Sequence, residues 1–79
     1  MKDIPVLLKD RKQIEKFVQI NKKLDCQVDV SDGHIYINGK SIIGLLALSL
    51  FDPIHVYLIG DDKNISRILD AYKANDLIV

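Results

Sequence analysis

Apolar side chains recur along this chain with two different periods, and each change of period marks an element. Ile4 to Leu8 is a short apolar run that reads as a strand, with Pro5 near its start where a missing N–H is tolerable. After it the spacing becomes helical. Ile14, Phe17, Val18 and Leu24 form one stripe, and Lys12, Lys16, Gln19 and Lys23 cover the other side. Asp10 can accept from the free N–H groups of the first turn, and Gln13 stands at the reciprocal capping-box position. Cys26 to Val30 alternates strictly, as a half-buried strand does. Asp32-Gly33 predicts a type I′ hairpin turn, whose central residues both take positive φ. The returning strand is His34 to Ile37, with Ile35 and Ile37 on one face, and Asn38-Gly39 breaks it.

Ser41 is a natural N-cap for a short helix running to about Ala47 or Leu48. No charge occurs from Ser41 through Phe51, so this helix lacks a polar stripe. A helix that is apolar all round is either deeply buried or a contact surface, and full burial is hard to arrange in so short a chain. Asp52-Pro53 marks a turn, and Ile54 to Ile59 is the most strand-like segment, rich in β-branched residues. Gly60-Asp61-Asp62 turns the chain and caps a last helix, in which Ile65, Ile68, Leu69 and Tyr72 share a face. Asn75 is the expected left-handed end of that helix. The order β-α-β-β-α-β-α predicts an α+β fold, helices layered over one antiparallel sheet.

The chain has 79 residues, which predicts a single domain over 1–79. Its hydrophobic fraction of 48% argues for a folded core rather than disorder. One cysteine, Cys26, permits no internal disulfide, which fits a reducing, cytoplasmic setting. Its place on the inward phase of a strand reads as a small core residue. The apolar patch near the N-terminus is too short for a signal peptide, and the longest uncharged run is far short of a bilayer span. The formal net charge of zero is unevenly spread. Residues 1–23 carry seven Lys/Arg against three acids, and residues 24–79 carry four against eight. That asymmetry either steers an acidic partner onto the first helix or is simply a solvated face.

Catalytic chemistry is hard to find in this pattern. His34 and His55 alternate with apolar positions of their strands, which places both on the solvent side of the sheet. No Cys/His cluster has zinc spacing, and no Gly-rich loop precedes a helix, so neither a metal nor a cofactor is expected. Asp61-Asp62 reads as helix-capping acids. Direct nucleic-acid binding is disfavoured, because the one aromatic of the basic first helix, Phe17, sits on the core stripe rather than among the lysines. Ser41 is different. Beyond capping, a phosphate placed there would meet free N–H groups and add charge beside an apolar patch.

At Lys40-Ser-Ile-Ile-Gly-Leu-Leu-Ala-Leu48 the chain resembles HPr, the small phosphocarrier family of the bacterial sugar phosphotransferase system. A Lys-Ser-Ile-Met-Gly-Val/Leu-Met-Ser-Leu block is typical there. The segment Phe17 to Val30 is similar to the family's Leu-Val-Gln…Lys…Asp-Val stretch, and Asp32-Gly33 stands for its Asn-Gly hairpin. The resemblance implies an open-faced β-sandwich of four antiparallel strands under three helices. The family's phosphoryl-accepting histidine, in a Leu-His-Ala-Arg-Pro motif, has no counterpart. Asp10 falls about where it would be and Lys12 where the arginine would be. In this the chain is similar to the catabolite-repression HPr-like proteins, which lack the histidine and keep the regulatory serine.

That likeness implies a non-enzymatic regulatory module of sugar uptake or catabolite control. Ser41 would be modified by a serine kinase/phosphorylase. Lys12, Ile42, Ile43 and Leu46 would contact a transcription regulator or components of the transport system. The same apolar patch would equally suit a homodimer. The alternative is a divergent phosphocarrier with another acceptor, such as Asp10, His34 or His55.

Overall fold

A computed structural model describes residues 2–47, 53–60 and 65–78. Their order is β1 (Lys2–Val6), α1 (Arg11–Lys22), β2 (Gln27–Ser31), β3 (Tyr36–Asn38), α2 (Ile42–Leu46), β4 (Ile54–Ile59) and α3 (Ile65–Ala74). The strands form one sheet in the order β1-β4-β2-β3, and every neighbouring pair is antiparallel. This is the α+β architecture that the alternation of periods predicts. Asp52 and Asp61-Asp62, expected to make turns and a cap, lie outside the described residues.

Alternation decides which face of the sheet is covered. Ile4 and Val6, Val28 and Val30, and Ile54, Val56 and Leu58 all point inward and are buried. They meet Ile14, Phe17 and Val18 of α1, Leu45 of α2, and Ile68 and Tyr72 of α3 in one apolar cluster. Cys26 belongs to the same cluster, as its phase predicts. The opposite face is open, with Asp3, Pro5 and His55 exposed on it. Pro5 lies on β1, the strand at the sheet's edge, so its missing donor leaves no ladder bond unmade.

Several boundaries differ from expectation, each for a local reason. Strand β1 ends at Val6 rather than Leu8, because the chain turns there to pair with its own tail. The Leu7 amide donates to the Leu77 carbonyl at 2.8 Å, and Val6 bridges Ile78. The β2–β3 turn is not type I′, since Gly33 has φ +101° but Asp32 does not take positive φ. The loop has four residues, held by the Asp32 carboxylate, which accepts from the His34 and Ile35 amides at 2.9 and 3.2 Å. These bonds, His34 first, hold the Asp32 carboxyl below its ordinary range. Strand β3 therefore starts only at Tyr36. His34 is exposed in the loop, and Ile35, also in the loop, is 52% exposed while Ile37 packs on the core.

Two helix ends also shift. Leu24 lies beyond α1 and is only half-buried. At the end of α3 the left-handed residue is Asp76, φ +58°, rather than Asn75. The Leu77 amide reaches the Tyr72 carbonyl and the Asp76 amide reaches Lys73, a Schellman closure that tucks Leu77 into the core.

Candidate functional site

The two helix starts singled out in the sequence are both built as caps. The Asp10 carboxylate accepts from the Gln13 amide at 2.9 Å. Gln13 reaches back as a capping box should, but its carbonyl takes the Lys9 amide at 2.7 Å, one residue upstream of the cap. Its amide group donates to the Asp76 carbonyl at 3.2 Å, and Lys9 stands 3.7 Å from the Asp76 carboxylate. The start of α1 is thus tied to the end of α3. Lys12, which the resemblance would match to the family's arginine, is exposed and in no ion pair among the described residues.

At α2 the Ser41 hydroxyl accepts from the Gly44 amide at 3.4 Å, and Ser41 itself is half-buried. The segment leading into it is firmly held. The Asn21 side-chain amide donates to the Gly39 carbonyl at 2.7 Å, and the Lys40 ammonium donates to the Leu24 carbonyl at 2.8 Å. One anchor lies in the last turn of α1 and the other just beyond its carboxyl end. Asp10 and Asn21 are therefore separated by roughly 16 Å along that helix, at about 1.5 Å per residue. Asp10 heads α1 and Ser41 heads α2, and no hydrogen bond or ion pair joins the two among the described residues.

The apolar faces of α2 divide sharply. Leu45 is fully buried, and Ile42 is half-buried against the core. Ile43 is 82% exposed and Leu46 43% exposed. Gly44 faces β3 so closely that a Cβ there would lie 2.6 Å from Ile37 Cγ2. That close approach lets α2 sit against β3 on the side that carries Gly44, while Ile43 lies on the outer side. The helix is half core and half surface, as its lack of a polar stripe predicts.

The histidines stand elsewhere. His55 is on the open sheet face, its Nδ1 3.1 Å from Asp3 Oδ1, with the tautomer unassigned. His34 is exposed in the β2–β3 loop. Among the described residues no three His, Cys, Asp or Glu side chains converge as a metal site, and no helix is long and apolar enough to cross a membrane.

One feature of this region is not among those expected from the sequence. Tyr72 of α3 donates its hydroxyl to the Asn21 side-chain carbonyl, so Asn21 joins α3 to the segment before α2. Asn21 and Tyr72 are both fully buried. Burial first, and Cys26 second, raise the Tyr72 phenol above its ordinary range, which keeps it a neutral donor. The signal was present: Asn21 follows Ile14, Phe17 and Val18 at i+7, i+4 and i+3, a polar residue on the core stripe.

Among solved structures the chain is similar to the crystal structure of HPr-C-His from Thermoanaerobacter tengcongensis. The TM-score is 0.73 at 24% identity, over 95% of this chain and 94% of that one. The fold is that of HPr. No family model and no curated protein matches the sequence. In this HPr-like frame the four-stranded antiparallel sheet and three helices expected from the resemblance are all present.

Proposed function

We propose that the chain is an HPr-like regulatory binding module rather than a phosphocarrier. Its docking face comprises Ile43 and Leu46 of α2, the outer part of Ile42, and exposed Lys12 of α1. The observation that carries this reading is Ile43, 82% exposed on a helix whose cap and inner face are otherwise fully committed. Nothing in the packing of α2 requires a large apolar side chain there, whereas a protein partner would. Asp10 at the position matching the family's histidine supports the same reading, because its carboxylate is engaged as a helix cap.

Ser41 is the candidate switch of that face. A phosphate on its hydroxyl adds about −1.5 to −2 charges one turn or less from Ile43. Such a group would change which partner the apolar patch accepts, as the catabolite-repression HPr-like proteins suggest for sugar-uptake control. Incubation with a bacterial HPr kinase and ATP, followed by mass spectrometry, is the test. One phosphate mapped to Ser41, and none on Ser41→Ala, is expected. An unmodified chain, under conditions that label a true HPr, ends the switch.

His55 motivates a second reading, phosphoryl transfer through another acceptor, because Asp3 orients its ring while it stays exposed. Enzyme I with phosphoenolpyruvate would then place a label on His55. Absence of any labelled histidine or aspartate removes this reading.

A further inference from the structure

A cleft of about 410 Å³ opens between the carboxyl end of α1, the turn into β2, and α3. It shares no residue with the docking face described above. Its floor is apolar, made by Ile20, Leu24, Ile68 and Ala71, with Cys26 beneath. Its rim carries Lys23 and Arg67, and both are exposed. Neither is in an ion pair among the described residues. Asp25 is the single acid on that rim among the described residues.

Three elements surround the floor, so the site is concave rather than a flat contact patch, and its volume suits one small molecule. Among the described residues, two cations outside any ion pair against one acid leave a net positive rim. Guanidinium and ammonium groups at a mouth over an apolar floor match a ligand with one anionic end and one apolar end. We propose that this cleft binds a small organic anion. Its apolar or aromatic body lies on the floor, and its phosphate or carboxylate group lies on Lys23 and Arg67. Asp25 restricts the ligand to a single anionic group, since a second would face a like charge.

The test is titration of the isotopically labelled full chain with phenyl phosphate, followed by amide chemical shifts. Phenol and inorganic phosphate serve as the separated halves of the probe. Saturable shifts centred on Lys23, Leu24, Cys26 and residues 67–71 are expected. Phenyl phosphate should bind about tenfold more tightly than either half, and Arg67→Gln should weaken it about tenfold, the loss of one charge-assisted hydrogen bond. Lys23→Gln should weaken it in the same direction. Both variants alter exposed side chains, and an unchanged spectrum without ligand confirms that they fold. The proposal is overturned by shifts centred elsewhere or by no saturation. It is equally overturned if inorganic phosphate binds as well as phenyl phosphate, an adventitious ion only, or if both variants keep full affinity.

Discussion

The starts of α1 and α2 have the same chemistry and opposite surroundings. Each is closed by a side-chain oxygen on the amide three residues on, Asp10 to Gln13 at 2.9 Å and Ser41 to Gly44 at 3.4 Å. The α1 start is secured from outside the helix by Gln13 and Lys9, which reach the end of α3. The α2 start is secured from behind, by Asn21 and Lys40, and its front is left to Ile43 and Leu46. The cap with the shorter bond heads the longer helix, which buries its own apolar stripe. The looser cap heads five residues that cannot form a stable helix alone and depend on what holds them. An apolar surface on a segment so anchored is fit for contact, because a partner need not order it first.

The anchor is where the comparison breaks most easily. Asn21→Ala leaves the Tyr72 hydroxyl and the Gly39 carbonyl without partners at a fully buried site. Each orphaned group costs about 1–3 kcal/mol, so a loss of about 2–6 kcal/mol is expected. Urea unfolding measures it. Amide exchange should quicken more across Ser41 to Leu46 than across the first turn of α1. A loss below about 1 kcal/mol, or equal loosening at both helix starts, would show that α2 is held by apolar packing alone.

How far these features are legible in the chain depends on whether they rest on period or on pairing. Strand and helix phases follow from local spacing, so the buried sets on β1, β2, β4 and α1 are readable from residues such as Val28, Val30, Ile14 and Phe17. The caps at Asp10 and Ser41 are readable too, being three-residue events. What spacing cannot show is a partner distant along the chain. Leu77 looks like tail composition until it fills the core beside Leu7's backbone, and Asn21, which spacing puts on the core stripe, shows no partner until Tyr72 and Gly39 are in place. The β2–β3 turn fails for a related reason. Asp-Gly permits a type I′ turn, but the Asp32 side chain has two amides to satisfy, and it selects the longer loop. At the candidate site, the period alone pairs Ile43 with Leu46 and Ile42 with Leu45, but which pair faces inward depends on how α2 docks, including Gly44's approach to Ile37, a contact between elements.

Gly44 therefore gives the second, smaller way to break the comparison. Alanine at that position improves helix propensity by about 1 kcal/mol, but its Cβ would lie 2.6 Å from Ile37 Cγ2. Overpacking costs about 1–3 kcal/mol, so Gly44→Ala should destabilise by about 1 kcal/mol net. Shaving the contact with Ile37→Val alone does not remove the Cγ2 concerned, so Ile37→Ala in combination is the control. The double variant should lose less than the two single losses added, as expected for residues in contact. Strict additivity would mean that α2 does not rest on Ile37, and that the exposure of Ile43 has another cause.

The smallest expected effect compares the two caps directly. Asp10→Ala removes a 2.9 Å charge-assisted bond at the head of a twelve-residue helix and should cost about 1 kcal/mol. Ser41→Ala removes a 3.4 Å neutral bond from a helix held mainly by Asn21, Lys40 and Leu45, and should cost about 0.5 kcal/mol. Chemical denaturation of the two variants side by side measures the difference. Exchange at the Gly44 amide should rise in Ser41→Ala while that at Gln13 is unchanged, and the reverse should hold in Asp10→Ala. If Ser41→Ala costs as much as Asp10→Ala, the hydroxyl is a structural requirement of α2, and a modification there would unfold the face it is proposed to switch. A small cost leaves Ser41 free to carry a charge without losing the helix, the condition that a switch beside Ile43 needs.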